Sequence, residues 1–173
     1  RGKKTLVTWG SGALVRSWCS PQEYMLITSR FGMNVTLAYP EGYDLDPEVI
    51  AQVRANCAQA GASFEIAHDS VSGYEGADVV YSRNWMSPVA YASGELDKAG
   101  ERAQAVLHPG WITDAARMKR TNNALFIHPM PVDRGSEVTD EIASGPRSII
   151  YDVAENRLHV QKALMALTMT DAL

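Results

Sequence analysis

Only two cysteines occur in the 173 residues, Cys19 and Cys57, far apart and in no CxxC pair. That excludes a disulfide-stapled scaffold and a cysteine zinc site, and it fits a reducing, cytoplasmic compartment. No apolar run approaches the roughly 18 residues of a membrane span. Arg1-Gly-Lys-Lys leads into an apolar stretch without a signal-peptide core, so neither export nor a membrane partner is expected. A surplus of basic residues is lacking as well. Sixteen Lys and Arg against 20 Asp and Glu give a net charge of −4, and so no general electrostatic reason to bind nucleic acid. The four histidines are equally uninformative about metals. His68, His108 and His159 share no ligand spacing, and no metal is assigned. Internal repeats, low-complexity tracts and an initiator Met are also missing, and the first apolar run begins almost at once, as expected of a domain cut from a longer chain.

What is present is ordinary globular composition, 46% hydrophobic and 21% charged, in a length suited to one domain with a proper core. Short apolar runs alternate with amphipathic stretches, which predicts an α/β fold: a Rossmann-like, doubly wound parallel sheet in a three-layer αβα sandwich. Strands are expected over residues 5–9, 35–39, 63–67, 78–82, 124–130 and 148–151. Ser20-Pro21-Gln22-Glu23 combines an N-cap, a helix-starting Pro and a capping-box acid, so a helix is expected from Pro21 to Phe31, stopped at Gly32. Asp46-Pro47 repeats the signal, and Val49, Ile50, Val53, Cys57 and Ala60 follow at helical spacing up to Gly61. One helical turn is expected near residues 71–74 and short helices over 113–120 and 138–143. A closing helix over 155–169 would carry Leu158, Ala163, Leu164 and Leu167 on one face. Residues 84–110, rich in Pro, Gly and Ala without a clean period, read as a long functional loop.

Ligands of open parallel sheets bind beyond the carboxyl ends of the strands, near the point where strand order reverses. The segments to inspect are therefore 10–20, 82–85 and 128–137. Gly10-Ser11-Gly12 invites a dinucleotide reading, but no third Gly follows at the expected step and the helix starts late. Phe126-Ile127-His128-Pro129-Met130-Pro131 ends a strand with two prolines that cannot donate hydrogen bonds. Carbonyl oxygens there would face a cleft and suit an NH2 ligand, or the segment is an ordinary terminating turn with a capped His. Arg83 could fork to a carboxylate and Trp85 could wall an apolar pocket. The competing reading makes them a surface Arg and a core Trp. Arg157, near the start of the last helix, could equally be one half of a surface ion pair.

Taken together, the run His128-Pro129-Met130-Pro131-Val132-Asp133-Arg134-Gly135-Ser136-Glu137-Val138-Thr139-Asp140-Glu141 and the run Asp152-Val153-Ala154-Glu155-Asn156-Arg157-Leu158-His159-Val160-Gln161-Lys162-Ala163 resemble the carboxyl-terminal signature of the aspartate/ornithine carbamoyltransferase family. The resemblance covers residues 1–173 as that family's amino-acid-binding domain, with 84–110 its weakest part. The Ser-Thr-Arg-Thr carbamoyl phosphate motif of the family's first half has no counterpart here. The substrate branch stays open. Pro129 stands where ornithine enzymes carry Cys, and their Ser-Met-Gly motif is absent. His-Pro-x-Pro is similar to the aspartate enzymes, whereas Glu-Asn-Arg-Leu-His is ornithine-like. Tyr81-Ser82-Arg83-Asn84-Trp85 resembles N-acetylornithine carbamoyltransferases, and Arg30 to Leu45 is similar to family members of unassigned substrate. The length of the 10–20 loop resembles the knotted members. A trefoil knot, with residues 83–88 threading past that loop, is therefore one alternative, and an unknotted connection, the general rule, is the other.

The resemblance implies transfer of a carbamoyl group from carbamoyl phosphate to the amine of an amino acid, catalysed mainly by positioning and by stabilising developing charge. It implies no cofactor, and a homotrimer for the full-length protein. Carried over by position, His128 and Arg157 would act at the carbamoyl carbonyl, and the Pro129 and Met130 carbonyls would accept from its NH2. Arg83 would grip the acceptor's carboxylate or acyl group, and Ser82 and Trp85 would line that pocket. Glu137 would order Arg134 or the substrate, and Asp78 would be structural. Two rivals remain: a non-catalytic amino-acid-binding or regulatory paralogue, and a nucleotide-dependent oxidoreductase resting only on Gly10 and Gly12.

Overall fold

The structure, a computed structural model, describes residues 1–12 and 15–169, Tyr91 by its backbone only. One parallel sheet carries the fold, in the order β3-β2-β1-β4-β5. Its strands are β1 (Lys4–Trp9), β2 (Asn34–Ala38), β3 (Phe64–Ala67), β4 (Val79–Arg83) and β5 (Leu125–Ile127). The central strand is covered on both faces, and Leu6 and Val7 are wholly buried, as an apolar run without polar alternation requires. Strand order reverses between β1 and β4, whose last residues, Trp9 and Arg83, stand side by side. This register puts Arg83 at the switch point where such sheets bind ligands.

Helix α2 (Pro47–Ala60) matches its sequence signals: Asp46 accepts from the Glu48 amide at 2.8 Å, and Gly61 closes the helix at φ +69°. Helix α1 (Cys19–Arg30) packs against α2 but starts earlier than expected, after Trp18 and with no side-chain cap. Pro21 sits inside its first turn, where the missing N–H would have no partner anyway, so the proline allowed a start two residues upstream of itself.

Three further expectations need correction. Residues 84–110 are not a structureless loop. They contain a 3-10 turn at Pro88–Tyr91 and helix α3 (Lys98–Ala105), capped by Asp97. The buried carboxylate of Glu101 ties them down by accepting from the Ser87 amide at 3.0 Å and its hydroxyl at 2.6 Å. Gly100 broke the apolar period there. The sixth strand is also missing: Ser148 forms only an isolated bridge to Phe126. The apolar run Ile149-Ile150-Tyr151 suits strand or helix equally. The Ile149 amide bonds the Phe126 carbonyl at 3.0 Å, and the chain then turns into α6 (Ile150–Met169), five residues before the expected start. Finally, the apolar face of α6 is not core, because Leu158, Leu164 and Leu167 are each more than half exposed. Helices α4 (Ala115–Met118) and α5 (Asp140–Ala143) fall within their expected segments. The knot alternative bears on a loop containing Ala13 and Leu14, which lie outside the described residues. Among the described residues no helix is long and apolar enough to cross a membrane.

Asp78 pins the amino ends of the strands. Its carboxylate accepts from the Lys3 ammonium at 2.9 Å, the Lys4 amide at 2.9 Å and the Asn122 amide side chain at 2.8 Å. The Lys3 bond, then the Lys4 amide, hold it below the usual carboxylate range. Lys3 is solvated and contributes little. The backbone bond makes Asp78→Ala cost about 1 kcal/mol, read as a urea midpoint shift at pH 7. Because the folded-state value is depressed, the difference from wild type shrinks as pH falls through the carboxylate range.

Candidate functional site

At the carboxyl ends of β1, β4 and β5 three connections meet: the described residues 10–12 and 15–18, residues 84–87 and residues 128–137. A single carboxylate joins them. Glu137, with no exposed surface, accepts from the Asn84 amide at 2.6 Å on Oε1. On Oε2 it accepts from the Asp133 amide at 2.8 Å and meets His128 Nε2 at 3.0 Å. His128 is equally buried, and its Nδ1 accepts from the Met130 amide at 3.0 Å. That bond places the ring proton on Nε2, facing Glu137. Burial alone would push the Glu137 carboxyl up; the bonds from His128, Asn84 and Asp133 outweigh it and hold the group below its usual range.

Close packing around this hub explains the two glycines. A Cβ on Gly10 would stand 3.0 Å from the Glu137 Cα, and one on Gly12 would stand 3.1 Å from an Asp133 carboxylate oxygen. They are small because another segment of the chain passes there. With the helix not starting until Cys19, no helix N-terminus follows them to hold a pyrophosphate.

The structure brings Arg83, Pro129 and Met130, each partly buried, together beside the hub. Met130 adopts φ +58°, unusual for a residue with a side chain, and its peptide bond to Pro131 is cis. Among the described residues no hydrogen bond ends on the Pro129 or Met130 carbonyl. Arg83 reaches over this turn, its Nη1 donating to the Pro131 carbonyl at 3.4 Å, while its buried Nε has no acceptor. Burial first, and Arg16 next, lower its pKa.

The other expected site residues sit elsewhere. Ser82 lines no pocket: it is buried and donates to the Glu137 backbone carbonyl at 3.0 Å. Trp85 is a core residue, wholly buried, with its indole donating to the Tyr43 carbonyl at 2.9 Å, because it belongs to an aromatic cluster with Trp9 and Tyr39. Glu137 does not order Arg134, which points to solvent and pairs with Asp140 at 2.8 Å. His128 presents no surface to the cleft, since both ring nitrogens are taken by protein partners. Arg157 is exposed on α6 in a shallow groove with Val153 and Val160 and forms no hydrogen bond or ion pair among the described residues. Sequence reasoning missed Asn84, Asp133 and Arg16. Asn84 and Asp133 lie inside the quoted motifs, but their importance comes from backbone amides and close approaches that no side-chain pattern announces.

The model of the family described as aspartate/ornithine carbamoyltransferase, Asp/Orn binding domain, matches residues 20–168. The ornithine carbamoyltransferase of Thermococcus kodakarensis is 40% identical over 145 residues, 84% of this chain and 44% of that enzyme. The N-acetylornithine carbamoyltransferase of Xanthomonas campestris pv. campestris is 38% identical over 167 residues, 96% of this chain and 48% of that enzyme. Among solved structures, an N-acetyl-L-ornithine transcarbamylase superposes with a TM-score of 0.89 at 36% identity, over 96% of this chain and 50% of its own. A structure complexed with acetylcitrulline superposes equally well at the same identity, over 96% of this chain and 49% of its own. The chain spans about half the length of the curated relatives it matches.

Proposed function

The chain belongs to the aspartate/ornithine carbamoyltransferase family, and from that premise we propose that it is the acceptor-binding half of an enzyme that carbamoylates the amine of an amino acid. The observation that carries the reading is the turn at Pro129 and Met130. Two carbonyls without protein donors lie beside a guanidinium with a buried, unpartnered N–H, at the switch point of a parallel sheet. In this reading the neutral amine attacks the carbamoyl carbon of carbamoyl phosphate. The resulting tetrahedral centre collapses with loss of phosphate, which takes the electrons of the broken C–O bond, and the amine loses a proton. The Pro129 and Met130 carbonyls accept from the carbamoyl NH2 and fix its orientation. Glu137, through His128 and the Asp133 and Asn84 amides, holds that turn in place, so both are positioning residues. Arg157 stabilises charge on the carbamoyl oxygen when the cleft is complete.

Completion requires a second domain. Leu158, Val160, Leu164, Met165 and Leu167 on α6 are more than half exposed, and so large an apolar stretch on one helix suits burial against another part of the protein. We assign that part to a carbamoyl phosphate-binding domain absent from residues 1–173, in a full-length homotrimer. Free Cys19 and Cys57 support a cytoplasmic location. The acceptor is an amino acid bearing a carboxylate or acyl oxygen for Arg83. Plain ornithine is disfavoured, since it carries two ammonium groups beside one carboxylate, whereas N-acylation removes the α-ammonium and aspartate has a second carboxylate, so ornithine brings the most positive charge toward the guanidinium.

The test supplies full-length protein and, separately, the 173-residue chain with carbamoyl phosphate and ornithine, N-acetylornithine or aspartate. The full-length protein is expected to form carbamoylated product and the short chain none. Product from the short chain alone overturns the half-enzyme reading. Full-length protein that binds these amines but carbamoylates none is a binding paralogue.

A further inference from the structure

Two acceptors beside the hub have nothing to accept from. Asn84 is only 3% exposed, and its Nδ2 donates to the Gly10 carbonyl at 3.2 Å, which fixes the carboxamide and turns Oδ1 the other way. That oxygen is buried and unpartnered among the described residues. The Asp133 carboxylate, partly buried, likewise takes no hydrogen bond and forms no ion pair among the described residues. Its backbone is fixed all the same, the amide donating to Glu137 Oε2 at 2.8 Å and the carbonyl accepting from the Glu137 amide at 2.9 Å. Both side chains approach one glycine from different connections. A Cβ on Gly12 would stand 3.1 Å from an Asp133 carboxylate oxygen and 3.6 Å from Asn84 Cγ. Gly12 is not among the glycines of positive φ, so space and not backbone conformation keeps the position small.

An acceptor taken out of water without a donor is unfavourable, and a carboxylate next to Glu137 adds repulsion. A primary ammonium relieves both, since it brings three N–H donors and a positive charge. The acceptor amine reaches the cleft at neutral pH as such an ammonium, and it must lose a proton before its electron pair can attack. We propose that Asp133 and Asn84 hold the reacting amine of the acceptor, and that Asp133 is the general base that takes its proton. This rests on the reading of the cleft as the acceptor site. The ammonium donates to the Asp133 carboxylate and to Asn84 Oδ1. One proton passes to the carboxylate, leaving a carboxylic acid and a neutral amine whose freed electron pair forms the bond to the carbamoyl carbon. Phosphate departs with the electrons of the broken C–O bond and with the second amine proton, and Asp133 returns its own proton to solvent. Asn84 orients the amine and exchanges no proton. The surroundings of Asp133 suit a base: burial first and Glu137 next raise its carboxyl, and Arg16 lowers it, so it is more basic than an ordinary carboxylate.

The test uses the full-length protein and two ligand pairs whose members differ only by an amine: L-aspartate and succinate, and N-acetyl-L-ornithine and N-acetyl-L-norvaline. Calorimetry at pH 7 with inorganic phosphate present reads the amine site. Wild type is expected to bind the amine member of one pair at least about tenfold more tightly, as a charge-assisted hydrogen bond predicts, and Asp133→Asn to bind both members alike. Initial rates with carbamoyl phosphate, followed against pH, read the base. Wild-type kcat/KM for the acceptor should stay level below the amine's own pKa, because the ammonium is itself the substrate, and fall only as Asp133 becomes protonated. In Asp133→Asn only the neutral amine reacts. Its kcat/KM should be about 10²- to 10⁴-fold lower at pH 7, drop about tenfold for each pH unit below the amine's pKa, and approach wild type at high pH. Asp133→Glu should recover part of the rate together with the level region. Without ligand, Asp133→Asn should unfold at the wild-type temperature or above it, because it removes a repulsion and breaks no hydrogen bond. Equal wild-type affinities within both pairs, or a rate loss in Asp133→Asn that is the same at every pH, overturns the proposal. Transfer with an unchanged pH profile in Asp133→Asn also overturns it and leaves the transferase reading standing. An Asp133-dependent preference for the amine without transfer to any amine sustains the amine site and overturns the transferase reading.

Discussion

Glu137→Ala is expected to destabilise the folded chain by about 3–5 kcal/mol, the largest effect of any single side-chain truncation at the site. The magnitude follows from what is left behind. Glu137 accepts from two backbone amides and from the His128 ring, all inside the protein. Truncation strands those donors without water, and each buried unsatisfied group costs about 1–3 kcal/mol. For a chain of this size 1 kcal/mol moves the midpoint roughly 2–4 °C, so thermal unfolding should shift by about 6–20 °C. Glu137→Gln keeps the shape but turns an NH2 toward donors, and should recover only part of the loss. The pH dependence has a definite sign. The folded carboxyl lies below its usual range because its hydrogen bonds outweigh burial. The stability it contributes is therefore full above the unfolded value, near pH 4.3, and is lost as pH falls through the lower folded value. Wild type and Glu137→Gln should converge in urea midpoint as pH falls below the unfolded value and through the lower folded one. A difference that persists there, or an alanine variant within 1 kcal/mol of wild type at pH 7, shows that the carboxylate is not the tie between the three connections.

Arg157→Ala in the full-length protein is expected to lower turnover about 100-fold, or roughly 2.7 kcal/mol of transition-state stabilisation, with little change in the Michaelis constant of the acceptor. The structure separates this effect from folding. Arg157 is exposed and forms no hydrogen bond or ion pair among the described residues, so the substitution in the 173-residue chain should change stability by less than about 0.5 kcal/mol. Initial rates at saturating carbamoyl phosphate make the measurement. Unchanged turnover with a raised acceptor Michaelis constant would give Arg157 a binding role, and unchanged values of both would return it to the ordinary surface.

The sequence alone determined the class of fold and named the segments that meet at the carboxyl ends of the strands. Alternating apolar runs and amphipathic stretches reflect burial on a local period, so β1, β2 and α2 came out within a residue or two. Proline after His128 removes donors wherever the chain goes, which made Pro129 and Met130 readable as free acceptors before any coordinates. Local ambiguity defeated the sixth strand, since Ile149-Ile150-Tyr151 has no preference until Phe126 pairs with it for one bridge and α6 takes over. The surroundings of Ser82, Trp85 and Glu137 were decided only by tertiary structure. Trp85 and Arg83 are two residues apart on the same segment, yet one is wholly buried among aromatic rings and the other reaches over the turn to the Pro131 carbonyl. Glu137 became a hub because amides from Asn84, 53 positions away, and from Asp133 converge on it. Side-chain type and spacing encode which groups can donate, accept or hide from water. Which partners they meet depends on strand order and on segments brought together across the sheet, and that is a property of the folded chain.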